Sequence, residues 1–159
     1  MRAEDWPVPE GGWDIASLTE LFASDPQELG DVDVEVVDAS EVLSITLKER
    51  GGLTVLATAN GEQVLCSVLL AEAYSIPRRE AFERTLLSVH KLIPLSTFGI
   101  TPIDGAEWYE LFGALSARSP AAALVEEVAV LAANAMDAAD WIREWVGAGG
   151  EPAQMGDAA

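Results

Sequence analysis

The chain is poor in the residues on which most catalytic and metal sites depend. Its 159 residues include one cysteine, Cys66, and one histidine, His90. A single cysteine excludes an intramolecular disulfide and any metal site built from several thiolates. Because Cys66 lies in an apolar run, we interpret it as a buried structural thiol. His90 lies near the C-terminal end of a predicted helix, where the helix dipole favours a protonated imidazole over a general base. A Cys66–His90 pair remains as the alternative.

Glycine loops that bind phosphate and acidic loops that bind calcium are also missing. Arg50-Gly51-Gly52 lacks the glycine spacing and the following helix of a phosphate-binding loop. No Asp-x-Asp-x-Asp-Gly calcium loop occurs in the sequence. We therefore expect a protein that is not an enzyme and that uses no cofactor or metal.

Basic residues are scarce, with nine lysines and arginines against 27 acids and a net charge of −18. Such an excess repels the phosphates of nucleic acids and anionic lipids, so we expect no nucleic-acid partner. Residues 1–41 contain twelve acids and a single base, Arg2. This segment is either a solvated face that maintains solubility or a docking surface for a cationic partner.

Long hydrophobic runs are absent too. The uncharged stretch 128–136 of the final predicted helix is far shorter than a membrane span. The N-terminus has one arginine and no apolar segment of the kind found in signal peptides. We expect a cytoplasmic protein without membrane insertion.

The periodicity of apolar residues predicts one domain, 13–146, between a flexible lead-in, 1–12, and a flexible tail, 147–159. A short helix over 13–23 has Asp14 or Ser17 as its cap. Alternation over 32–36 and 43–47 predicts one bent strand or two. This stretch and the segments 53–59 and 62–71 form a three-stranded antiparallel meander, with Asn60-Gly61 as a type I′ hairpin turn.

The second half of the domain repeats helix and hairpin. Pro77 starts a helix that runs to about 92, and segments 97–103 and 107–114 pair across Asp104-Gly105. A long helix covers 120–146. The order α-β-β-β-α-β-β-α, with antiparallel strands and helices to one side, predicts an α+β two-layer fold.

Three groups of side chains are candidates for protein binding. Asp31, Asp33 and Glu35 form an acidic row on one strand face, which either guards an exposed edge or docks a partner. Four of the nine bases lie along the second helix, with Arg78 and Arg79 at its start. They form either a solvated face or, in a dimer, a contact with the acidic N-terminal strands of the other subunit. Trp141 and Trp145, four residues apart on the last helix, either pack in the core or anchor a partner.

The last helix has an unusual feature, since its centre, 128–136, is uncharged on every side. A helix on an open sheet keeps one polar face, so this pattern indicates burial on a second side, as in a homodimer interface. The alternative is an alanine-rich helix whose small side chains tolerate water.

Several segments of the last third resemble a known family. They are Pro94-Leu95-Ser96, Phe98-Gly99-Ile100, Phe112-Gly113-Ala114-Leu115-Ser116 and Val125-Glu126-Glu127-Val128. Together they resemble the YjfI-like family of bacterial proteins, a domain of unknown function. Members tend to be encoded beside phage-shock-protein-A-like membrane-stress proteins, so the resemblance implies such proteins as partners. The element order also resembles the type III secretion chaperone-like fold and its YbjN-like relatives, which are small acidic dimers that bind other proteins.

Composition and resemblance together predict a non-enzymatic adaptor or chaperone-like protein, linked to a membrane-stress system and assembled as a homodimer. The alternative is a small-molecule-binding regulatory domain with a pocket between the sheet and the helices.

Overall fold

A six-stranded antiparallel sheet is covered on one face by helices in the computed structural model, which describes residues 2–37, 39 and 41–149. The strands and helices follow each other in the predicted order, and the stretch that the pattern left as one bent strand or two is two strands. The α+β prediction is confirmed. In chain order the elements are α1 (Ile15–Ala23), β1 (Val32–Val37), β2 (Val42–Leu47), β3 (Leu53–Ala59), β4 (Gln63–Glu72), α2 (Arg79–Val89), β5 (Thr97–Ile103), β6 (Ala106–Ser116) and α3 (Ala121–Gly147).

The sheet has the strand order β1-β2-β3-β4-β6-β5, and every neighbouring pair is antiparallel. The acidic strand β1 and the uncharged strand β5 are therefore its two edges. Edge strands expose unpaired backbone groups, so the chemistry of these two strands decides what the sheet edges can bind.

Helix α1 begins with a capping box that uses both residues proposed as caps. Asp14 is the N-cap, and its Oδ1 accepts a hydrogen bond from the Ser17 N–H at 2.8 Å. The Ser17 hydroxyl accepts one from the Asp14 N–H at 3.0 Å. The Ser17 hydroxyl also donates to Asp14 Oδ1 at 2.6 Å, and the two hydrogen bonds that Oδ1 accepts from Ser17 lower the pKa of the Asp14 carboxyl.

Replacing Asp14 by alanine is expected to lower the free energy of unfolding by about 1 kcal/mol, because the Ser17 N–H and hydroxyl lose the carboxylate oxygen to which they donate. The folded-state pKa of Asp14 lies below its unfolded value, so the stabilisation is present above the unfolded pKa and is lost as the pH falls through the folded one. Urea titrations of Asp14→Ala at neutral and acid pH measure both effects. Glu20→Ala, an exposed position on the same helix, is the matched control.

The two predicted hairpin turns differ. Asp104 and Gly105 have φ of 48° and 81°, as a type I′ turn requires. At the other turn only Gly61 has positive φ, so the type I′ prediction is wrong there although the hairpin is present. The physical reason is the Asn60 side chain, whose Oδ1 accepts the N–H groups of Glu62 at 3.0 Å and Gln63 at 2.9 Å and holds a wider loop.

The larger core lies between the sheet and helices α1 and α3. Alternate residues of the strands, such as Ile45, Val55 and Val68, meet apolar residues of the helices, such as Phe22 and Leu131. All of these side chains are almost fully buried. The sheet thus has one apolar face, as a two-layer domain requires.

A second, smaller core joins the start of α2 to the end of α3. Phe82 lies at its centre, with ring centroids 5.0 Å from Tyr109, 4.9 Å from Trp141 and 5.4 Å from Trp145. The Trp145 Nε1 donates a hydrogen bond to the Pro77 carbonyl at 2.8 Å, just before α2 begins. This cluster fixes the position of α2 beside β6.

The N-terminal segment packs on α3 and the larger core. Residues 2–12, predicted as a flexible lead-in, include a short 3-10 helix, Ala3–Asp5, that contacts α3. Ala3 is buried in the larger core and Trp6 packs against it. Ala133 and Met136 in the uncharged centre of α3 are nevertheless exposed, so burial of a second side in a homodimer stays a prediction. Of the predicted tail, 147–149 are described and 150–159 lie outside the described residues.

Candidate interaction surface

The most exposed large apolar side chains near one sheet edge come from three consecutive elements. Leu87 on α2 is 74% exposed, and Leu92 and Leu95 in the following segment are 66% and 63% exposed. Ile100 on β5 is 46% exposed. We call Leu86, Leu87, Leu92, Leu95, Phe98 and Ile100 the α2–β5 face.

The α2–β5 face lies on a sheet edge that carries no charge. Residues 92–103 include no Asp, Glu, Lys or Arg in a chain that is 23% charged. Sheet edges are commonly protected by charged side chains, and β1 follows that rule with Asp33 and Glu35. Strand β5 has Pro102 as its single protective residue.

A groove of about 220 Å³ runs between α2 and β5. This volume is smaller than the 300–1,000 Å³, roughly, of pockets that enclose small-molecule ligands. Its apolar lining suits one or two side chains of another protein better than a whole ligand. The lining residues are Glu83, Leu86, Leu87, Phe98, Gly99, Ile100 and Tyr109.

A polar cluster fixes one wall of the groove. Glu83 Oε1 accepts hydrogen bonds from Arg79 Nε at 2.7 Å and from the Tyr109 hydroxyl at 2.8 Å. Arg79 also pairs with Glu107 at 3.2 Å. The guanidinium of Arg79 lowers the pKa of Glu83, and burial together with Glu83 raises the pKa of Tyr109 to about 12. The cluster ties α2 to β6, so the groove is preformed.

A second, open depression of about 490 Å³ lies at the start of α2. Arg78, Arg79 and Arg84 line it together with Glu80 and Ala81, and Lys91 is exposed just beyond the end of α2. Arg79 is already engaged by Glu83 and Glu107. Arg78 caps α2 in a left-handed conformation with φ of 49°. Arg84 is exposed, with Glu80 one helical turn before it in the same depression.

The acidic row lies at the opposite sheet edge from the groove. Asp31, Asp33 and Glu35 are exposed, as the alternation predicts. Lys48 Nζ lies 3.1 Å from Asp31 and 3.0 Å from Asp33, and both carboxylates raise the pKa of Lys48. Lys48 therefore neutralises part of the negative charge of the acidic row. The role of the row in partner binding stays a prediction.

Trp141 and Trp145 lie in the second core. They are 4% and 1% exposed, respectively; Trp141 stacks on Phe82 and Trp145 meets it edge-on. Of the two interpretations of this pair, the structure favours core packing, because buried rings offer no surface to a partner.

A buried carboxyl that the sequence did not single out lies between α3 and the sheet. Glu127 is 8% exposed, and its Oε1 has no hydrogen-bond partner among the described residues. Burial, and to a lesser extent the charge of Glu126, raise its pKa. The carboxyl lies over Gly113, where an added Cβ would be 2.6 Å from the Glu127 Cδ. Nothing in the sequence around Glu127 indicated that its carboxyl would lie against Gly113.

Cys66 and His90 lie in different parts of the fold. Cys66 is buried in the larger core, where burial and the charge of Glu127 raise its pKa to about 12. A thiol with that pKa stays protonated at neutral pH and is a poor nucleophile. His90 packs against Phe98 of β5, with ring centroids 6.0 Å apart. Strand β6 separates β5 from β4, the strand that contains Cys66.

Across residues 2–37, 39 and 41–149, no group of three or more His, Cys, Asp and Glu side chains is arranged to hold a metal ion. In the same part of the chain no helix is both long and apolar enough to cross a membrane.

The fold and these side chains define a two-layer α+β domain with one acidic and one uncharged sheet edge. The chain belongs to the bacterial family described as "Uncharacterized protein conserved in bacteria (DUF2170)", whose model matches residues 12–146. It is 26% identical over 133 residues to "Uncharacterized protein YjfI" of Escherichia coli (strain K12), a match that covers 84% of this chain and 97% of that protein. The protein of the same description from Escherichia coli O157:H7 matches equally. The YjfI-like resemblance is thereby confirmed.

Proposed function

We propose that the protein is a non-enzymatic adaptor that binds another protein through the α2–β5 face. The observation that carries the proposal is the group of exposed apolar side chains beside an uncharged sheet edge. Contiguous apolar surface on a soluble domain marks interaction sites, and interface cores are depleted in charge. The preformed groove supports the proposal, because a rigid surface loses little entropy when a partner binds.

The partner that the family resemblance suggests is a phage-shock-protein-A-like protein of the same cell. The protein's own charge is compatible with a protein partner that has both basic and acidic surfaces, since α2 is locally basic in a chain of net charge −18. The order of helices and strands, which resembles that of type III secretion chaperones, also leads us to expect a protein partner, by analogy.

Replacing both Leu87 and Ile100 by serine is expected to weaken partner binding at least tenfold. The two side chains are well exposed in the free protein, so the fold should persist, while losing interface side chains costs about 1 kcal/mol or more each. The tagged chain captures partners from the native cell. Binding is then remeasured with each purified partner, including the phage-shock-protein-A-like protein.

The matched control is Met136→Ser on α3, because Met136 is 46% exposed, the same fraction as Ile100. The proposal requires that a given partner is retained by the Met136 variant and lost by the Leu87/Ile100 variant. Equal binding by all three proteins would refute the assignment of this face.

A small-molecule function is the second candidate, and the groove itself is the observation that favours it. Thermal-shift screening against metabolite libraries distinguishes the two candidates, because a ligand that binds the folded state raises the melting temperature. If a ligand raises the melting temperature of the natural protein but not that of the Leu87/Ile100 variant, the ligand-binding proposal replaces the adaptor proposal.

A further inference from the structure

The sheet has a second face, on the side away from the helices. Residues that pair directly across neighbouring strands point to the same side of a sheet. Ala57 of β3 pairs with Cys66 of β4 and both lie in the larger core, so the next pair, Leu56 with Ser67, points to the other side. We call this side, with Leu56, Ser67 and the positions in register with them, the open face.

The centre of the open face is apolar. Leu56 on β3 and Leu65 and Leu69 on β4 are half-buried, and neither core includes them in the part of the chain that the structure describes. Phe112 of β6 lies against Gly99 of β5, since a Cβ at Gly99 would be 2.9 Å from the Phe112 Cε1. Because β3 and β4 are the two middle strands, these side chains lie where a partner would enclose them on all sides.

Charge is nearly absent from this face between β2 and β5. At its positions in the described strands β2 to β6 there are two acids, Glu72 and Glu110, and no lysine or arginine. The helix side differs, because α3 alone exposes Glu126, Asp137 and Asp140. Two copies that each carry a net charge of −18 therefore repel each other least when they approach through the open face.

The acidic row lies at the β1 border of the open face, where Glu35 pairs with Ser44 and Ser44 with Leu56. A two-fold axis parallel to the strands reverses the strand order, so β1 of one copy lies over β5 of the other. Each acidic row then faces an uncharged strand and lies about 24 Å, or five strand spacings, from the row of the other copy. Since the Debye length is about 8 Å at physiological ionic strength, the two rows barely repel each other.

The same arrangement accommodates Glu110. This residue is on β6, the second strand from its edge, so it lies over β2 of the other copy. The open-face positions of β2 there are Ser44 and Thr46, whose hydroxyl groups are able to donate hydrogen bonds to a carboxylate.

The open face is large enough for a specific dimer. Its six strands, about 4.8 Å apart and about six or seven residues long, give a planar footprint of roughly 600 Å². Specific interfaces bury roughly 600–1,000 Å² on each partner. Two apolar sheet faces pack about 10 Å apart with their side chains interdigitated, so a second sheet of the same shape fits this surface.

We propose that two copies of this chain form a homodimer by packing open face against open face, with Leu56, Leu65 and Leu69 at its centre. The inference goes beyond the adaptor function and does not depend on it. Leu87 and Ile100 lie on the helix side of the sheet, so the dimer leaves both α2–β5 faces free. A partner with two binding segments would then be held by both copies at once.

Two exposed alanines provide matched variants, Ala114 at the open face of β6 and Ala133 on α3. Sedimentation equilibrium is expected to show a dimer for the natural protein, and Ala114→Glu is expected to raise its Kd at least tenfold. Ala133→Glu adds the same charge on the other side of the molecule and should leave the Kd unchanged. Thr54→Glu, at an exposed open-face position of β3, replaces Ala114→Glu if that variant does not fold.

Salt separates this dimer from one held by the bases of α2 and the acidic strands of the other subunit. Screening weakens the repulsion between two acidic copies, so the open-face dimer should tighten as sodium chloride rises from about 50 to 500 mM. A dimer that weakens over this range, or that Ala133→Glu disrupts and Ala114→Glu does not, would overturn the proposal. A natural protein that is monomeric at about 100 μM would also overturn it. Loss of partner binding in the Leu87/Ile100 variant would still support the adaptor function in each of these cases.

Discussion

Replacing Trp145 by alanine is expected to lower the free energy of unfolding by about 3–5 kcal/mol, the range found for large aromatic side chains in cores. Trp145 is 1% exposed and meets Phe82 edge-on at 5.4 Å and Trp141 at 5.7 Å. Alanine would leave a cavity at the centre of the second core. Chemical denaturation followed by far-ultraviolet circular dichroism measures the loss without relying on tryptophan emission.

Trp145→Phe separates packing from hydrogen bonding. It retains an aromatic ring but removes the hydrogen bond to the part-buried Pro77 carbonyl, a loss of about 1 kcal/mol. Val146→Ala, on the same helix but 45% exposed, should change stability by about 0.5 kcal/mol or less. A Trp145→Ala loss of under about 1 kcal/mol would show that the second core contributes little.

The second core also connects stability with the proposed binding site. The Trp145 hydrogen bond holds Pro77, and α2 begins two residues later with Arg79. Loosening this end of α2 would widen the groove between α2 and β5. We therefore expect Trp145→Ala to weaken partner binding under conditions in which the protein is still folded, although Trp145 does not face the groove.

Local chemistry predicted the elements of the fold well. The alternation from Val32 to Leu47 specifies strands because one face of the sheet is buried and the other is not. Asp104-Gly105 specifies its turn because both residues tolerate positive φ. These signals come from residues close together in the chain, so no knowledge of the tertiary structure is needed to interpret them.

Features set by distant residues were not predictable in the same way. Only the structure shows that Ala3 and Trp6 of the predicted lead-in pack against the larger core. Nothing local distinguishes a tryptophan that packs on Phe82 from one that anchors a partner. The homodimer stays a prediction.

The candidate site was missed for a similar reason. The sequence emphasised charged residues and tryptophans, whereas the α2–β5 face consists of four leucines, Phe98 and Ile100, each of which resembles a core residue in the sequence. Their exposure depends on where α2 ends and on β5 being an edge strand. The available signal was the charge-free run 92–103, which is longer than a single strand and spans a loop that would ordinarily be polar.

Glu127 provides the second large expected effect, in the opposite direction from Trp145. Its buried carboxyl has an oxygen without a hydrogen-bond partner, and an unsatisfied buried polar group costs about 1–3 kcal/mol. Replacing Glu127 by leucine is therefore expected to raise the free energy of unfolding by about that amount at neutral pH. Glu126→Leu at the exposed neighbouring position is the control and should give no such gain.

The pH dependence follows from the raised pKa of Glu127. The folded state holds the proton at pH values where the unfolded state has released it, so stability falls as the pH rises from the unfolded pKa to the folded one. Glu126 on α3 and Cys66 on β4 are the titratable groups coupled to it. Glu127→Gln does not titrate, so its stability should exceed that of the natural protein increasingly across this window and match it in acid.

Gly113 tests whether this carboxyl requires a glycine beneath it. A Cβ at Gly113 would lie 2.6 Å from the Glu127 Cδ, so Gly113→Ala must displace the buried side chain at a cost of about 1–3 kcal/mol. In a Glu127→Ala background the Cβ meets no carboxyl, and the same substitution should cost much less. The expected coupling energy in this double-mutant cycle is about 1–2 kcal/mol, whereas additive effects would show that Glu127 does not depend on Gly113.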